Sequence, residues 1–332
     1  MFAAMDLDPD RASSLRLTVV DLGTVDDVYV ALPSAPVIAV GSAEDIAAVD
    51  AQPWLERATF TLTEDRVHDH RVVAVDSVET EIRELEQRVG RWPQAAAICD
   101  DVLRSMDPGA PTMRALITES LAYSTLQSGR EFSAWLAHRG PASSPASPDP
   151  VLVERQGDSL IIALNRPMRH NALSTDMRQA LLEALTIACY DTSIREVVLS
   201  GSGESFCSGG DLAEFGTFAD AASAHFARTR HSPALALDEL RGRLGERLVA
   251  RVHGQVLGSG LEMAAFCGRI VAHPQSQIAL PELALGLIPG AGGTVSVTRR
   301  VGRWRTAYLV LSGRTVTAAT ALAWGLVDDV TQ

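Results

Sequence analysis

One stretch, residues 253–293, restricts the folds open to this 332-residue chain more than any other. It sets two carboxylates, Glu262 and Glu282, in apolar company. Glu262 follows the tight turn Gly258-Ser259-Gly260 at the expected start of a helix. Glu282 follows Pro281 at the end of the apolar run 278–280. Carboxylates on apolar frames carry raised pKa values and do proton chemistry.

Charge divides the chain in two. Residues 1–150 hold 12 Arg and 24 Asp plus Glu, whereas residues 151–332 hold 17 of each, so the whole net charge of −12 lies in the first part. Lys is absent, which excludes a Schiff-base lysine. No part is basic overall, which argues against a nucleic-acid partner. No apolar run reaches the length of a membrane span, and the acidic start is unlike a signal peptide. Cys99, Cys189, Cys207 and Cys267 lack ligand-like spacing, so the expectation is a reduced, cytoplasmic protein with neither disulfides nor a metal site.

Along the chain, residues 15–22, 27–32, 37–40 and 72–75 read as short strands separated by Gly, Pro and Asp. Ile82, Leu85 and Val89 recur at helix spacing. Pro93 interrupts that helix, a second runs over 94–105, and 113–137 reads as one long helix or two in line. The Pro/Ser/Gly-rich segment 139–150 has linker composition. This divides the chain into an acidic domain (1–138), a linker (139–150) and a second domain (151–332).

The second domain alternates strands and helices. A hairpin turns around Gly157, Ser174 caps a helix running to 189, and strands follow over 196–200, 249–252, 269–272 and 277–280. Helices are expected over 233–248, 290–300, 303–311 and 316–324. That pattern gives an α/β domain with much parallel pairing.

Two glycine loops, 206–212 and 257–262, precede expected helices. Glycine admits a ligand close to the backbone, and a helix start offers free N–H donors. Two such donors aimed at one oxygen make an oxyanion hole; the plainer alternative is a pair of tight turns. The loop at 201–205 has neither a phosphate-loop ending nor dinucleotide spacing. No Gly-x-Ser-x-Gly elbow surrounds Ser208 or Ser259. Arg166, Arg169 and His170 fall in one loop read as exposed, suited to an anion or simply solvated.

Taken together, Asn165-Arg-Pro with Asn171-Ala-Leu173, Ser205-Phe-Cys-Ser-Gly-Gly-Asp-Leu212, the run from His253-Gly to Gly258-Ser-Gly-Leu-Glu262, and Pro281-Glu282 with Pro289-Gly-Ala-Gly-Gly-Thr294 resemble the crotonase family, the enoyl-CoA hydratase/isomerase superfamily. The four motifs occur in the family's order across residues 151–330, and the first 150 residues lie outside the match. The resemblance implies an α/β fold with a crotonase-like core of repeated ββα spiral turns, here carrying an N-terminal extension that passes from mixed α/β to helical.

For function, it implies an acyl-CoA thioester whose enolate is stabilised by the N–H groups of Gly210 and Ser259. Arg166, Arg169, His170, Ala172, Gly210, Asp211 and Leu212 would contact CoA and substrate. Glu262 and Glu282 occupy both glutamate positions of the hydratases, which favours adding water to a 2-enoyl thioester or removing it from a 3-hydroxyacyl thioester. Two carboxyls sharing one water suit that chemistry, one ionised and one protonated, because close like charges push their pKa values apart. Glu262 is then expected to activate water and Glu282 to exchange the proton at Cα, with no cofactor and no metal. The expected partners are an acyl-CoA or an acyl-carrier-protein thioester and further copies of the chain, as a trimer or a multiple of it.

Three departures accompany the resemblance. Ser259 stands where the hydratases usually have Gly. The residues after Gly325-Leu-Val-Asp328 do not include the family's C-terminal helical cap. The acidic N-terminal domain is extra, a feature shared with a cofactor-independent dioxygenase of the superfamily that acts on an aryl-acetyl-CoA. Enolate chemistry on such a thioester is therefore one alternative, and a non-catalytic crotonase-like scaffold is another. The amphipathic N-terminal stretches either pack on one another or dock on the second domain.

Overall fold

A computed structural model describes residues 17–25, 35–107, 109–218 and 220–331. The strand expected over 27–32 lies outside the described residues.

The N-terminal layer begins with four short strands, β1 (Thr18–Asp21), β2 (Val37–Val40), β3 (Phe60–Thr63) and β4 (Val72–Ala74). All pair in parallel, in sequence order. Between β2 and β3 run helices α1 (Ala43–Ala47) and α2 (Gln52–Arg57), neither legible from residue spacing. Strand β3 is not among the expected strands: its Thr-rich run hides alternating Phe60 and Leu62, both fully buried.

Four helices follow: α3 (Val78–Arg91), α4 (Pro93–Ser105), α5 (Thr112–Gln127) and α6 (Arg130–Arg139). Ser77 caps α3 by accepting from the Thr80 amide. Pro93 opens α4 in the first turn, where its missing N–H costs nothing. The single helix or in-line pair expected over 113–137 is two helices, parted at Ser128-Gly129.

Residues 140–150 form no helix or strand. Beyond them come β5 (Val151–Gln156), β6 (Ser159–Leu164), α7 (Thr175–Tyr190), β7 (Glu196–Gly201), α8 (Ala221–Arg230), α9 (Pro233–Leu244), β8 (Leu248–Val252), β9 (Gln255–Leu257) and α10 (Ser259–Phe266). The chain continues through β10 (Arg269–Ala272), β11 (Gln277–Ala279), α11 (Gly293–Ser312), β12 (Val316–Thr317), α12 (Ala318–Trp324) and β13 (Asp329–Val330). Two expected helices, over 290–300 and 303–311, are the halves of α11, which kinks at Gly302.

Two sheets carry this core. One has the order β13-β10-β8-β7-β6-β5, parallel except for the β5–β6 hairpin; the other has the order β12-β11-β9. Successive strands alternate between the sheets before each helix, as β8–β9–α10 and then β10–β11 leading to α11. This is the repeated ββα turn of a spiral, and it stacks the loops that follow β9 and β11.

The N-terminal layer shares one continuous apolar cluster with this core, in which Phe60, Leu85 and Phe132 join Phe266, Leu283 and Leu309. The ring of Phe60 meets Tyr308 edge-on at 5.4 Å. Polar contacts seal the margins. The Trp304 indole donates to the Leu55 carbonyl at 3.0 Å, Arg88 donates to the Leu311 carbonyl at 3.1 Å, and Arg314 pairs with the buried Glu81 at 2.8 Å. The amphipathic stretches thus bury their apolar faces both on one another and on the following segment. Among the described residues, no helix is long and apolar enough to cross a membrane.

Candidate active site

The stacking of spiral turns brings the two glycine loops together. Cys207 donates its amide to the Gln255 carbonyl at 3.0 Å, and Leu257 returns a bond to the Cys207 carbonyl at 2.9 Å. This pairing sets Gly210 and Ser259 on the wall of one cavity of about 150 Å³. Ser259 is the first residue of α10, so its N–H has no intrahelical acceptor. Among the described residues the amides of Gly210 and Ser259 donate to no protein acceptor. The Ser259 hydroxyl is buried and also without a partner.

Both glutamates line the same cavity. Glu262, 2% exposed, sits in the first turn of α10. Its Oε2 accepts from the amides of Ala291 and Gly293, each at 2.7 Å. Glu282 opens a short 3₁₀ turn, Glu282–Leu285, and its Oε2 is buried with no partner. The carboxylate lies against Gly258, where φ is +49° and a Cβ would stand 2.5 Å from Oε1. Glycine is therefore needed there both for the turn and for the approach.

Burial pushes both carboxyls upward. Glu282 rises to about 8, through burial and the nearby Glu119, against a bond from its own amide. Glu262 is raised by burial and by the charges of Glu282 and Glu119, while the amides of Ala291 and Gly293 oppose the rise.

Sequence reasoning missed a third carboxylate. Glu119, on α5 of the N-terminal layer, is 1% exposed. Its Oε1 accepts from the Gly292 amide at 2.8 Å, and its Oε2 accepts from the amide and hydroxyl of Thr294 at 3.0 and 2.7 Å. Four successive amides at the start of α11 are thus divided alternately, Ala291 and Gly293 to Glu262, Gly292 and Thr294 to Glu119. A helix N-terminus is where anions are stabilised. Burial nevertheless lifts Glu119 to about 7, with the Thr294 and Gly292 bonds and the Arg228 charge pulling the other way.

Tyr123 and Gln127, one and two turns further along α5, line the cavity too. Tyr123 packs on Gly290 so closely that a Cβ there would stand 2.5 Å from its ring. No motif flags these residues. The available signal is an acid, Glu119, at helical spacing from Ala115, Leu116 and Tyr123.

The basic loop requires a correction. Arg166 is not exposed: it is 5% exposed and forms an ion pair of 3.0 Å with Asp211, itself 1% exposed. Arg166 also donates to the Ala172 carbonyl at 2.6 Å and to the Ser144 hydroxyl at 2.9 Å. Ser144 in turn donates to Asp211 at 2.6 Å. Burial tends to raise Asp211, but the bonds from Ser144, Ala213 and Arg166 outweigh it and lower its pKa. The pair fixes the loop internally. Arg169 is half-exposed and reaches Asp211 at 3.3 Å. His170 is exposed, in the left-handed region, with Nδ1 at 3.0 Å from the Ser205 hydroxyl. Ala172 is buried, and Leu212 is 46% exposed. Of the seven residues assigned to CoA and substrate, Gly210 and Asp211 line the cavity; Arg166, Arg169, His170, Ala172 and Leu212 lie outside its wall.

Comparison with known proteins gives a concordant result. Residues 154–332 match the family model described as Enoyl-CoA hydratase/isomerase. The 2,3-dehydroadipyl-CoA hydratase of Escherichia coli is 38% identical over 180 residues, covering 54% of this chain and 68% of that protein. The mevalonyl-coenzyme A hydratase of Beauveria bassiana is 36% identical over 192 residues, covering 56% and 68%. The crystal structure of an enoyl-CoA hydratase from Mycobacterium smegmatis superposes with a TM-score of 0.50 at 34% identity, over 55% of this chain and 70% of that one.

Proposed function

The chain belongs to the enoyl-CoA hydratase/isomerase family, and from that premise we propose that it adds water to a 2-enoyl thioester, or removes it from the 3-hydroxyacyl product, by means of Glu262 and Glu282. The observation that carries the reading is the unequal treatment of two buried carboxylates facing one cavity. Glu262 accepts two amide N–H bonds on one oxygen, which favours its ionised form. Glu282 has a buried oxygen with no donor to satisfy it, which favours the protonated form. Burial, which raises Glu282 to about 8, keeps its proton in place at neutral pH and within reach of transfer.

Hydration then runs as follows. The thioester oxygen takes the free amides of Gly210 and Ser259, which stabilise negative charge as it develops there. Glu262 accepts a proton from water as the new C–O bond forms at Cβ. Electrons pass to the thioester oxygen as an enolate. Its collapse takes a proton from Glu282 at Cα, and the two carboxyls regain their starting states by proton exchange. The N-terminal layer adds Tyr123 and Gln127 to the cavity wall, and the less water shares the cavity with substrate, the stronger each of these interactions becomes.

The test is turnover of a panel of 2-enoyl thioesters, on CoA and on a carrier protein, by the intact chain. Glu282→Gln keeps the shape and removes the acid, and should lower kcat by roughly 10²-fold or more. Unchanged turnover in that variant would remove Glu282 from the mechanism.

A further inference from the structure

Two cations share the cavity with the glutamates, and the hydration chemistry above uses neither. Arg178 stands on α7 and Arg228 on α8, and both line the wall. Among the described residues, neither forms an ion pair with a carboxylate. Every tether of Arg228 is neutral. Its Nε donates to the Ser120 hydroxyl at 3.1 Å, one terminal nitrogen to Gln127 Oε1 at 3.1 Å, and the other to the Ser124 hydroxyl. Its guanidinium carbon also lies 4.3 Å from the centre of the Tyr123 ring. These partners aim the charge without cancelling it. A guanidinium has two N–H groups on each terminal nitrogen, so both ends keep a donor to offer.

Glu214 also lines the wall and is the acid nearest in kind to a counter-ion for Arg178. Its Oε2, however, is taken by the amide and hydroxyl of Thr175, each at 2.8 Å. Burial lowers the pKa of Arg228, and the like charge of Arg178 lowers it further, against the attraction of Tyr123 and Glu119. Two mutually repelling, partly desolvated cations with neutral tethers form an arrangement that an incoming anion relieves.

Position within the cavity decides which anion. Arg228 lies over Tyr123, Tyr123 packs on Gly290, and the next amide, Ala291, donates to Glu262. The cation is therefore a few contacts from the reacting carboxylates. The phosphates of CoA are separated from the thioester by the whole pantetheine arm. An anion held here belongs to the acyl group.

Resting on the thioester reading above, we propose that Arg228, assisted by Arg178, forms a subsite for a carboxylate carried on the acyl chain beyond Cβ, so that the substrate is the thioester of a dicarboxylic acid. All three tethers of Arg228 come from α5. The N-terminal layer thereby aims a specificity residue that the core alone would leave undirected.

The experiment compares two 2-enoyl-CoA thioesters of equal length, one ending in a methyl group and the other in a carboxylate. Wild-type kcat/KM should favour the carboxylate by about 10²-fold, the scale of charge-assisted, geometrically matched contacts. Arg228→Gln should erase most of that preference, chiefly through KM, with a loss on the methyl-ended thioester at least tenfold smaller. Arg178→Gln should reduce the preference by about tenfold and serves if Arg228→Gln does not fold. Equal wild-type use of the two thioesters, or equal losses on both, would overturn the subsite while leaving hydration intact. If neither thioester turns over, the hydratase reading has failed, and calorimetric binding of the same pair still judges the subsite: no tighter binding of the carboxylate-ended compound overturns it.

Discussion

Glu262 and Glu119 share out four successive amides, two to each, yet they come from different parts of the chain. Glu262 belongs to the spiral core and to a motif that also holds its turn, its helix start and the free Ser259 amide. Glu119 belongs to the N-terminal layer, and its nearest hydrogen-bonding partner is 173 positions away. Both are buried and both titrate high. The core provides the groups suited to reaction; the layer provides an acid, an aromatic wall and the tethers of Arg228. Both regions thus line one cavity, and in the proposed reading chemistry comes from one and enclosure and selectivity from the other.

Removing one region gives the sharpest break of that comparison. Residues 151–332 alone would expose the side of α11 on which Tyr308 meets the ring of Phe60, part of the apolar cluster the two regions share. A surface of that kind drives association. The fragment is expected to be insoluble or aggregated on expression, as judged by gel filtration. A monodisperse, fully active fragment would show that the layer contributes nothing to the cavity. Within the intact chain, Glu262→Gln and Glu282→Gln should each cost roughly 10²–10⁴ in kcat. Glu119→Ala should cost less than either, since Glu119 steadies a loop and touches no reacting atom. A loss at Glu119 equal to that at Glu262 would abolish the division of labour.

Most elements of both regions are legible in the sequence; why the core's site residues are legible and the layer's are not follows from where each stores its information. The core's glycines, Pro281 and both glutamates sit within short spans whose local geometry is set by the residues themselves. Gly258 has to be glycine because of its own φ and the approach of Glu282. The ββα alternation, the Ser174 cap and the hairpin at Gly157 are likewise local, and they appeared where expected. Glu119, Tyr123 and Arg228 acquire meaning only through contacts more than a hundred residues distant, which no spacing within α5 or α8 encodes. Helix α8 carries no clear sequence signal, because Ala-Ala-Ser-Ala-His-Phe-Ala-Arg-Thr-Arg has little helical amphipathicity. The error at Arg166 has a similar origin: an Arg in a loop reads as exposed, and its partner Asp211 lies 45 positions on, in another loop.

A gentler probe is pH. Glu282 has to be protonated to deliver its proton, and burial raises it to about 8. Hydration should therefore decline as pH climbs through that value, because the acid is lost on its basic side. The reverse reaction needs the ionised form and should decline as pH falls through the same value. A pH profile of kcat in both directions checks this. A forward rate that holds flat well above pH 8 would assign the acid to another group.

The smallest effect tests whether the two regions communicate. Glu119 is raised to about 7, so between its ordinary value of 4.5 and 7 the folded protein holds a proton that the unfolded chain has released. More protons bound in the folded state means that stability falls as pH rises across that window. Glu119→Gln cannot titrate, so the variant should gain on wild type as pH rises from about 5 to 8, by an amount on the order of a few kcal/mol. Any fixed cost of presenting an amide nitrogen to the Thr294 or Gly292 N–H is the same at each pH and does not alter that trend. Denaturant titrations at several pH values measure it, and parallel curves for the two proteins would contradict the shift. The charge of Glu119 also helps to raise Glu282. Removing it should move the alkaline limb of hydration to lower pH by a fraction of a unit. A limb that stays in place in Glu119→Gln would mean that the layer encloses the core's acid without tuning it.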